Sequence, residues 1–586
     1  MKYFIFLVLK SLVGLLDLVA ILAIGVLSSS IVMSITSGGS VGRVVQLGPI
    51  AFPGLSAHAI PLAGLVILLL FITKAIVSIF LTHKLAHFLA RIEARSAKQV
   101  ATNAFGKGLE GFRRYSKDEI LYTVQVGSPS AFNTLLNSVA NLSSEGFLFL
   151  LVIGAFTLIN SLAALGALVY FGLVGILIQY FIGRRVQQAG QVIAQSSIRS
   201  SSGILDLSEV IREASTLRKK SFFINKIYEA RMTSARNMAT QLVLQGMPRH
   251  IVETALILGI AAFIFLQSLS GNLQLAAVTI GVFLAGGLRL TAALLPLQSA
   301  LLSINQCRPA AERALRLLEG SLVELSEDSE TNHLSTPPQT PVEVTLQNVS
   351  FEYEDNESVL SGISLKIQAG AQAAFIGASG AGKSTLADVI LGLREPSAGK
   401  VCIGGSELSQ WVKDNPGSLG YVPQKPGMIS GTIRDNIALG VAPHSVDVKK
   451  LKKAIEDAHL ATLISSLPAG VETDIGKHKD ELSGGQLQRI GLARALYFEP
   501  SLLIMDEATS ALDADSENEI NKALTNMRGQ VTVILIAHRL NTVQRSDTVF
   551  LIEKGSIAAS GTFPELLKKS ATVRKLADLM AINPRT

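Results

Sequence analysis

The run Gly377-Ala378-Ser379-Gly380-Ala381-Gly382-Lys383-Ser384-Thr385 carries the densest chemical signal in the chain. An apolar stretch, Ala373–Ile376, precedes it, and an apolar helix is expected to begin near Lys383. Strand, glycine loop and helix in that order make a phosphate-binding loop. The glycines let backbone N–H groups converge on phosphate oxygens, and the helix N-terminus adds a favourable dipole. Lys383 is placed to reach the β- and γ-phosphates of a nucleotide, and the Ser384 hydroxyl to ligate Mg²⁺. A glycine-rich turn can be purely structural, but Lys-Ser in this context argues for a phosphate ligand.

Further along, Leu502-Leu503-Ile504-Met505-Asp506-Glu507 is an apolar strand ending in two carboxylates. Asp506 at a strand end suits Mg²⁺ held through water, and Glu507 suits a base that polarises an attacking water. By itself an Asp-Glu pair is more often the start of a helix. Beside a phosphate loop it points instead to nucleotide hydrolysis.

Leu482-Ser483-Gly484-Gly485-Gln486, shortly before that strand, resembles the signature sequence of ABC-transporter ATPases. Other motifs of that family follow in its order. Tyr353 matches the aromatic that stacks on adenine, and Gln424 in Val422-Pro423-Gln424 matches the Q-loop, which touches the metal and the water. Ser510-Ala511-Leu512-Asp513 matches the D-loop, and His538 after Val531–Ile536 matches the switch histidine at the γ-phosphate. The resemblance implies ATP and Mg²⁺ as ligands. Glu507, His538 and Gln424 would be catalytic. Tyr353, Gly377–Thr385, Ser483–Gln486 and Asp513 would contact nucleotide, and Ser384, Gln424 and Asp506 the metal. ATP in this family lies between one subunit's phosphate loop and the other's signature. A second copy of the chain is therefore implied, and a homodimer is favoured because no motif is degenerate. Two places depart from the family pattern. Gly476-Lys477-His478-Lys479 stands where many exporters carry a glutamate-containing loop, and Leu487 and Gly491 are unusual residues just after the signature.

The elements that position these groups follow from composition. Of the 586 residues 48% are apolar and only 17% charged, and the mean hydropathy is +0.41. Ordinary soluble domains carry about 25% charged residues, so a disordered chain and a purely soluble enzyme are both excluded. Two cysteines, Cys307 and Cys402, make no disulfide framework. The net charge of +7 reads as membrane-facing loops rather than nucleic-acid binding.

The apolar residues gather before residue 305 in six stretches: Tyr3–Ile35, Ala59–Leu81, Leu142–Ile159, Leu162–Ile182, Ile251–Leu269 and Leu273–Leu302. A spanning helix needs about 20 such residues. The first stretch is too long for a cleaved signal peptide. Two basic segments, from Lys84 to Lys117 and from Arg184 to Arg236, are assigned to the cytoplasm by the positive-inside rule, whereas the loop around Arg43 lies outside. Each segment allows two helices of ~30 residues reaching about 45 Å from the bilayer, with turns or short transverse helices expected near Gly127-Ser128-Pro129 and Asp206–Leu217. The stretch Glu327–Pro341 has linker composition. The expected organisation is a six-span α-helical membrane domain with long cytoplasmic helices over 1–318, a linker over 319–341, and an α/β P-loop ATPase domain over 342–586. This is the layout of an ABC exporter half-transporter, and the resemblance places it in a bacterial cytoplasmic membrane with the ATPase domain inside.

Substrate must be read from the membrane half. Lys74 falls about 15 residues, roughly 22 Å, into the second span, and Arg289 at a similar depth in the sixth. Arg249, beside Pro248, opens the fifth. Cations inside spans are costly and usually functional. The alternative is pairing with Asp17, Glu145 or Glu253, or snorkelling of Lys74. Pro248-Arg249 with Glu253, Glu145 and Arg289 resembles bacterial lipid-linked oligosaccharide flippases. That resemblance implies an anionic lipid-linked saccharide as substrate, with membrane lipid around it. Those flippases carry an external helix where Val41–Leu55 stands, but Gly48, Pro49 and Pro53 oppose a regular helix here. Two other readings stay open: an exporter of lipids, drugs or peptides, and a membrane-bound regulatory ATPase that transports nothing.

Overall fold

The computed structural model describes the 586-residue chain except residues 1, 37–43, 48–49, 54–58, 107, 110–114, 160, 270–272, 320–340, 354–357, 476–481, 507–513, 538–542 and 583–586. Within some helices only the backbone is described, and the side chains of Asp17 and Arg289 are among those outside the description. The chain divides into two compact units, Met1–Leu325 and Ser326–Thr586.

The first unit is built from long helices: α1 (Lys2–Thr36), α2 (Ala59–Phe105), α3 (Leu136–Ile159), α4 (Ser161–Ile178), α5 (Arg184–Glu209), α6 (Lys220–Leu269) and α7 (Leu273–Glu319). Three helical stretches among the described residues are long and apolar enough to cross a membrane: Ala59–Phe105, Lys117–Gly154 and Leu168–Glu209. The other three apolar runs lie in α1, α6 and α7. Basic and apolar residues adjoin without a helix break, so α2 extends well past its apolar portion at its C-terminal end and α6 well before its apolar portion at its N-terminal end. Pro248 does not interrupt α6, nor Pro296 and Pro309 α7.

One local expectation changes. Gly127-Ser128-Pro129 holds no turn: the chain passes through π-helical turns at Thr123–Gly127 and Ser130–Leu135 and continues into α3. The wider turns accommodate a proline that would break the regular hydrogen-bond ladder. Gly127 serves close packing, because a Cβ there would meet the Ala310 carbonyl of α7 at 3.2 Å. By contrast, a short helix does form at Ile211–Thr216. Between α1 and α2 lies an antiparallel hairpin of β1 (Val44–Leu47) and β2 (Ile50–Pro53), with Leu47 opposite Ile50.

Glycines also bring α7 against the α4–α5 segment. A Cβ on Gly175 would stand 2.9 Å from Gln298 Nε2, and one on Gly183 2.8 Å from Asn305 Nδ2. Around these contacts Phe171, Ile178, Ile182, Val186, Val252 and Leu302 form the buried core.

The second unit has two sheets. Its antiparallel sheet runs β4 (Ser358–Ile367), β3 (Val344–Glu352), β6 (Ala398–Ile403), β7 (Ser406–Glu407). The larger sheet runs in the order β12 (Ser556–Gly561), β11 (Thr548–Glu553), β5 (Gln372–Ile376), β10 (Thr532–Ile536), β9 (Leu502–Asp506), β8 (Leu419–Val422). All its neighbours are parallel except β11 and β12. Unbroken burial along β5 and β10 explains their continuous apolar sequences, since a parallel sheet is covered on both faces. Helices α8 (Lys383–Ile390) and α9 (Gly484–Tyr497) carry the two glycine motifs.

Candidate nucleotide site

Register brings the candidate residues to one edge of the parallel sheet. Ile536 pairs with Asp506 on one side and Phe375 on the other, so β5, β9 and β10 end level. Loops at the carboxyl ends of such strands are where α/β folds bind ligands. Gly377 leaves β5 there. Asp506 closes β9 at the same edge, immediately before Glu507, and β10 leads towards His538. Glu507, Asp513 and His538 themselves lie outside the described residues.

The loop between β5 and α8 is shaped by its glycines. Gly377 has φ 153° and a Cβ on it would meet the Ile552 carbonyl oxygen at 2.2 Å. Gly382 has φ 99°, and a Cβ there would press on Leu360 at 2.9 Å. Neither position admits a side chain. Ala378, Ser379 and Gly380 are exposed, whereas Ala381, Gly382 and Lys383 are buried. The Lys383 ammonium donates to the carbonyls of Gly377 and Ala378, both at 2.9 Å. Its charge is thereby held directly over the loop, and phosphate oxygens would be stronger acceptors for the same protons.

The donor set suits Mg²⁺. Ser384 is exposed at the start of α8, and the half-buried Asp506 carboxylate ends β9. Both offer hard oxygen atoms, and two side-chain ligands leave room for water and phosphate, as Mg²⁺ prefers. Tyr421 on β8 reports the charge nearby. Burial pushes its phenol up to about 12, and the carboxylates of Asp506 and Asp388 add to the shift. Gln424 is exposed just beyond β8.

Ser483-Gly484-Gly485-Gln486 opens α9 through a capping box. Gln486 N–H donates to Ser483 Oγ at 3.2 Å, and Ser483 N–H to Gln486 Oε1 at 2.8 Å. Ser483 and Gly484 are exposed at this N-terminus, while Gly485 is buried.

Tyr353 stands one residue past β3. Its hydroxyl lies 3.4 Å from Thr385 Oγ1. Three side chains of this neighbourhood carry no motif and were missed in the sequence: Arg394, beside the Tyr353 ring, and Gln488 and Arg494, which hold the chain on either side of Gln424. Only spacing hints at them, since Asp388 precedes Arg394 by six residues and Gln488 and Arg494 recur along one helix.

The membrane-unit cations are spread over three helices: Lys74 on α2, Arg249 on α6 and Arg289 on α7. Arg249 Nε donates to Glu253 Oε1 at 2.9 Å across one helical turn, and Lys74 and Glu145 are also engaged in interactions.

Residues 360–510 match the ABC transporter family model. The chain is 41% identical over 243 residues, 40% of its length, to ABC transporter 1 of Ajellomyces capsulatus. That match spans only 18% of the relative, as it does in other relatives of this kind. An uncharacterized ABC transporter ATP-binding protein of Sinorhizobium fredii is 28% identical over 508 residues, covering 84% of this chain and 83% of that one. The structure of a bacterial Atm1-family ABC exporter with ATP bound superposes with a TM-score of 0.74 at 22% identity, covering 99% of both chains. The chain therefore carries an ABC transporter domain in its second unit and has the fold of an Atm1-family ABC exporter.

Proposed function

We propose that the chain is an ATP-driven exporter that hydrolyses MgATP in its second unit and moves a substrate outward through its first. The observation that carries this reading is the Gly377–Lys383 loop, where two side-chain-free glycines and a lysine fixed over the Gly377 and Ala378 carbonyls sit at the ligand-binding edge of the sheet. Membrane-length helices in the same chain support transport as the use of that hydrolysis. In this reading Lys383 and the loop amides hold the triphosphate, Ser384, Gln424 and Asp506 the metal, and Glu507 polarises water beside His538. A bound Mg²⁺ would supply charge neutralisation on the phosphates.

A second copy of the chain completes the site, with Ser483–Gln486 and Asp513 closing on the partner's nucleotide. The exposure of Ser483 and Gly484 supports this, because it leaves the first turn of α9 open to another molecule. The proposed place of action is a bacterial cytoplasmic membrane. The substrate reading is an anionic lipid-linked saccharide recognised by Lys74, Arg249 and Arg289. Guanidinium forks suit its phosphate oxygens. The test is reconstitution of the purified chain in proteoliposomes. ATP-dependent movement of a polyprenyl-pyrophosphate sugar, lost in Lys383→Ala, is expected. ATP hydrolysis without movement of this lipid or of fluorescent phospholipid and drug probes would replace the exporter reading by that of a regulatory ATPase.

A further inference from the structure

We propose that Arg394 is a positioning residue for the nucleotide base, holding Tyr353 at the angle from which it stacks on adenine. The inference rests on the reading of Tyr353 as the base platform. Tyr353 lies one residue beyond β3, and β4 is not reached until Ser358, so no strand pairing fixes its ring. Side chains do that instead. The Arg394 guanidinium lies over the ring face, 4.9 Å from its centre, and the Phe351 ring meets it edge-on at 5.2 Å and 87°. The hydroxyl reaches Thr385.

Arg394 is itself held. Its side chain is only 4% exposed, and its Nε donates to Asp388 Oδ2 at 3.0 Å. It also stands 5.4 Å from the Phe351 ring. Burying a guanidinium beside two aromatic rings is costly unless its charge is used, and an apolar side chain would pack there at lower cost. The use on offer is the cation–π attraction, which is stronger in a desolvated setting than at the surface. Thr385 and Asp388 lie three residues apart on one face of α8, the helix that begins at Lys383. The base platform is thus tied at its hydroxyl and, through Arg394, at its face to the helix that opens the phosphate loop.

The test compares ATP with ribose 5-triphosphate, which keeps the phosphates and lacks the base, as substrates of the full-length protein in nanodiscs. Arg394→Met should raise KM for ATP about five- to tenfold with kcat within about twofold. KM for ribose 5-triphosphate should not move, and Arg394→Lys should restore part of the ATP affinity. Asp388→Asn, which loosens the fork while leaving the cation, should show a smaller rise with the same base dependence, and it serves if Arg394→Met fails to fold. Equal losses for both substrates would overturn the proposal, since Arg394 would then act through the phosphate loop. A rise in Tyr353→Ala with none in Arg394→Met would overturn it and leave the platform reading standing. No rise in either would remove the platform reading and the proposal with it.

Discussion

A Cβ placed on Gly491 would stand 2.6 Å from Cγ of Pro426. The glycine that departs from the family pattern is therefore the contact point between α9 and the segment following Gln424. Two side chains one turn to either side reinforce that contact. Gln488 Nε2 donates to the Pro423 carbonyl at 3.2 Å, and Arg494 Nη1 to that of Gly427 at 2.8 Å. Arg494 also donates to Asn436, whose own amide reaches the Ile429 carbonyl. The Gln424 loop and the helix that opens with the signature thus form one packed body.

Gly491→Ala is the direct probe of that body. An added methyl improves helix propensity by about 1 kcal/mol. Overpacking against a rigid proline ring costs about 1–3 kcal/mol, so the clash is expected to win. The variant should unfold at lower denaturant concentration, and ATP turnover should fall with it because Gln424 shifts. Pro426→Ala in the same chain should recover stability. Additive losses in the double variant would show that the two residues do not press on each other.

Binding and hydrolysis should separate by residue. Lys383→Ala removes the ammonium held over the loop and is expected to abolish ATP binding as well as turnover. Glu507→Gln keeps the cradle and loses the proposed base, so turnover should fall about 10²–10⁴-fold while ATP still binds. Equilibrium binding of a fluorescent ATP analogue alongside phosphate release checks both. Near-normal turnover in Glu507→Gln would transfer the role of base elsewhere, with His538 the first candidate.

The two thiols should differ sharply. Cys307 is 5% exposed, beyond the expected end of the sixth span, and burial pushes its thiol up to about 11. At pH 8 only about one molecule in a thousand carries its thiolate. Cys402, on β6, is half-buried. Iodoacetamide at pH 8 should therefore modify one thiol per native chain, at Cys402, and two after denaturation. Raising the pH towards 11 favours the thiolate of Cys307 and should speed its slow reaction. Fast native labelling of Cys307 would contradict the packing of α7.

The parallel strands and the loop between β5 and α8 were legible because burial on both faces leaves an unbroken apolar run that glycine then ends. Ala373–Ile376 was read one residue short of β5, and Val531–Ile536 one residue long for β10. The antiparallel sheet was not legible. In β3 and β4 buried and exposed residues alternate imperfectly, because bulges shift the register between Leu346, Val349 and Phe351. Gly127-Ser128-Pro129 misled for a different reason. A glycine–proline pair marks a turn by local propensity, whereas here the glycine admits a neighbouring helix and π-turns absorb the proline. Arg394 escaped notice since an arginine in a turn gives no sign of being buried; only the fold brings Tyr353 beside it.

The membrane-unit cations lead to the last prediction, and the pair Arg249–Glu253 decides its design. Within the chain both side chains are largely exposed, at 73% and 51%, which leaves the Arg249 guanidinium accessible beside its carboxylate partner. Each is then available to a ligand, and a pyrophosphate offers more charge to Arg249 than one carboxylate does. A lipid pyrophosphate also cannot cross about 30 Å of hydrocarbon unaided. Arg249→Ala and Arg289→Ala should each stop movement of a polyprenyl-pyrophosphate sugar in proteoliposomes, with basal ATP hydrolysis and dimer assembly retained. The double variant Arg249→Ala/Glu253→Ala separates recognition from pairing. If Arg249 serves only to neutralise Glu253, removing both restores transport. If Arg249 contacts the substrate, transport stays lost. Full transport in both single variants would leave these cations without a part in recognition and would call for a different substrate.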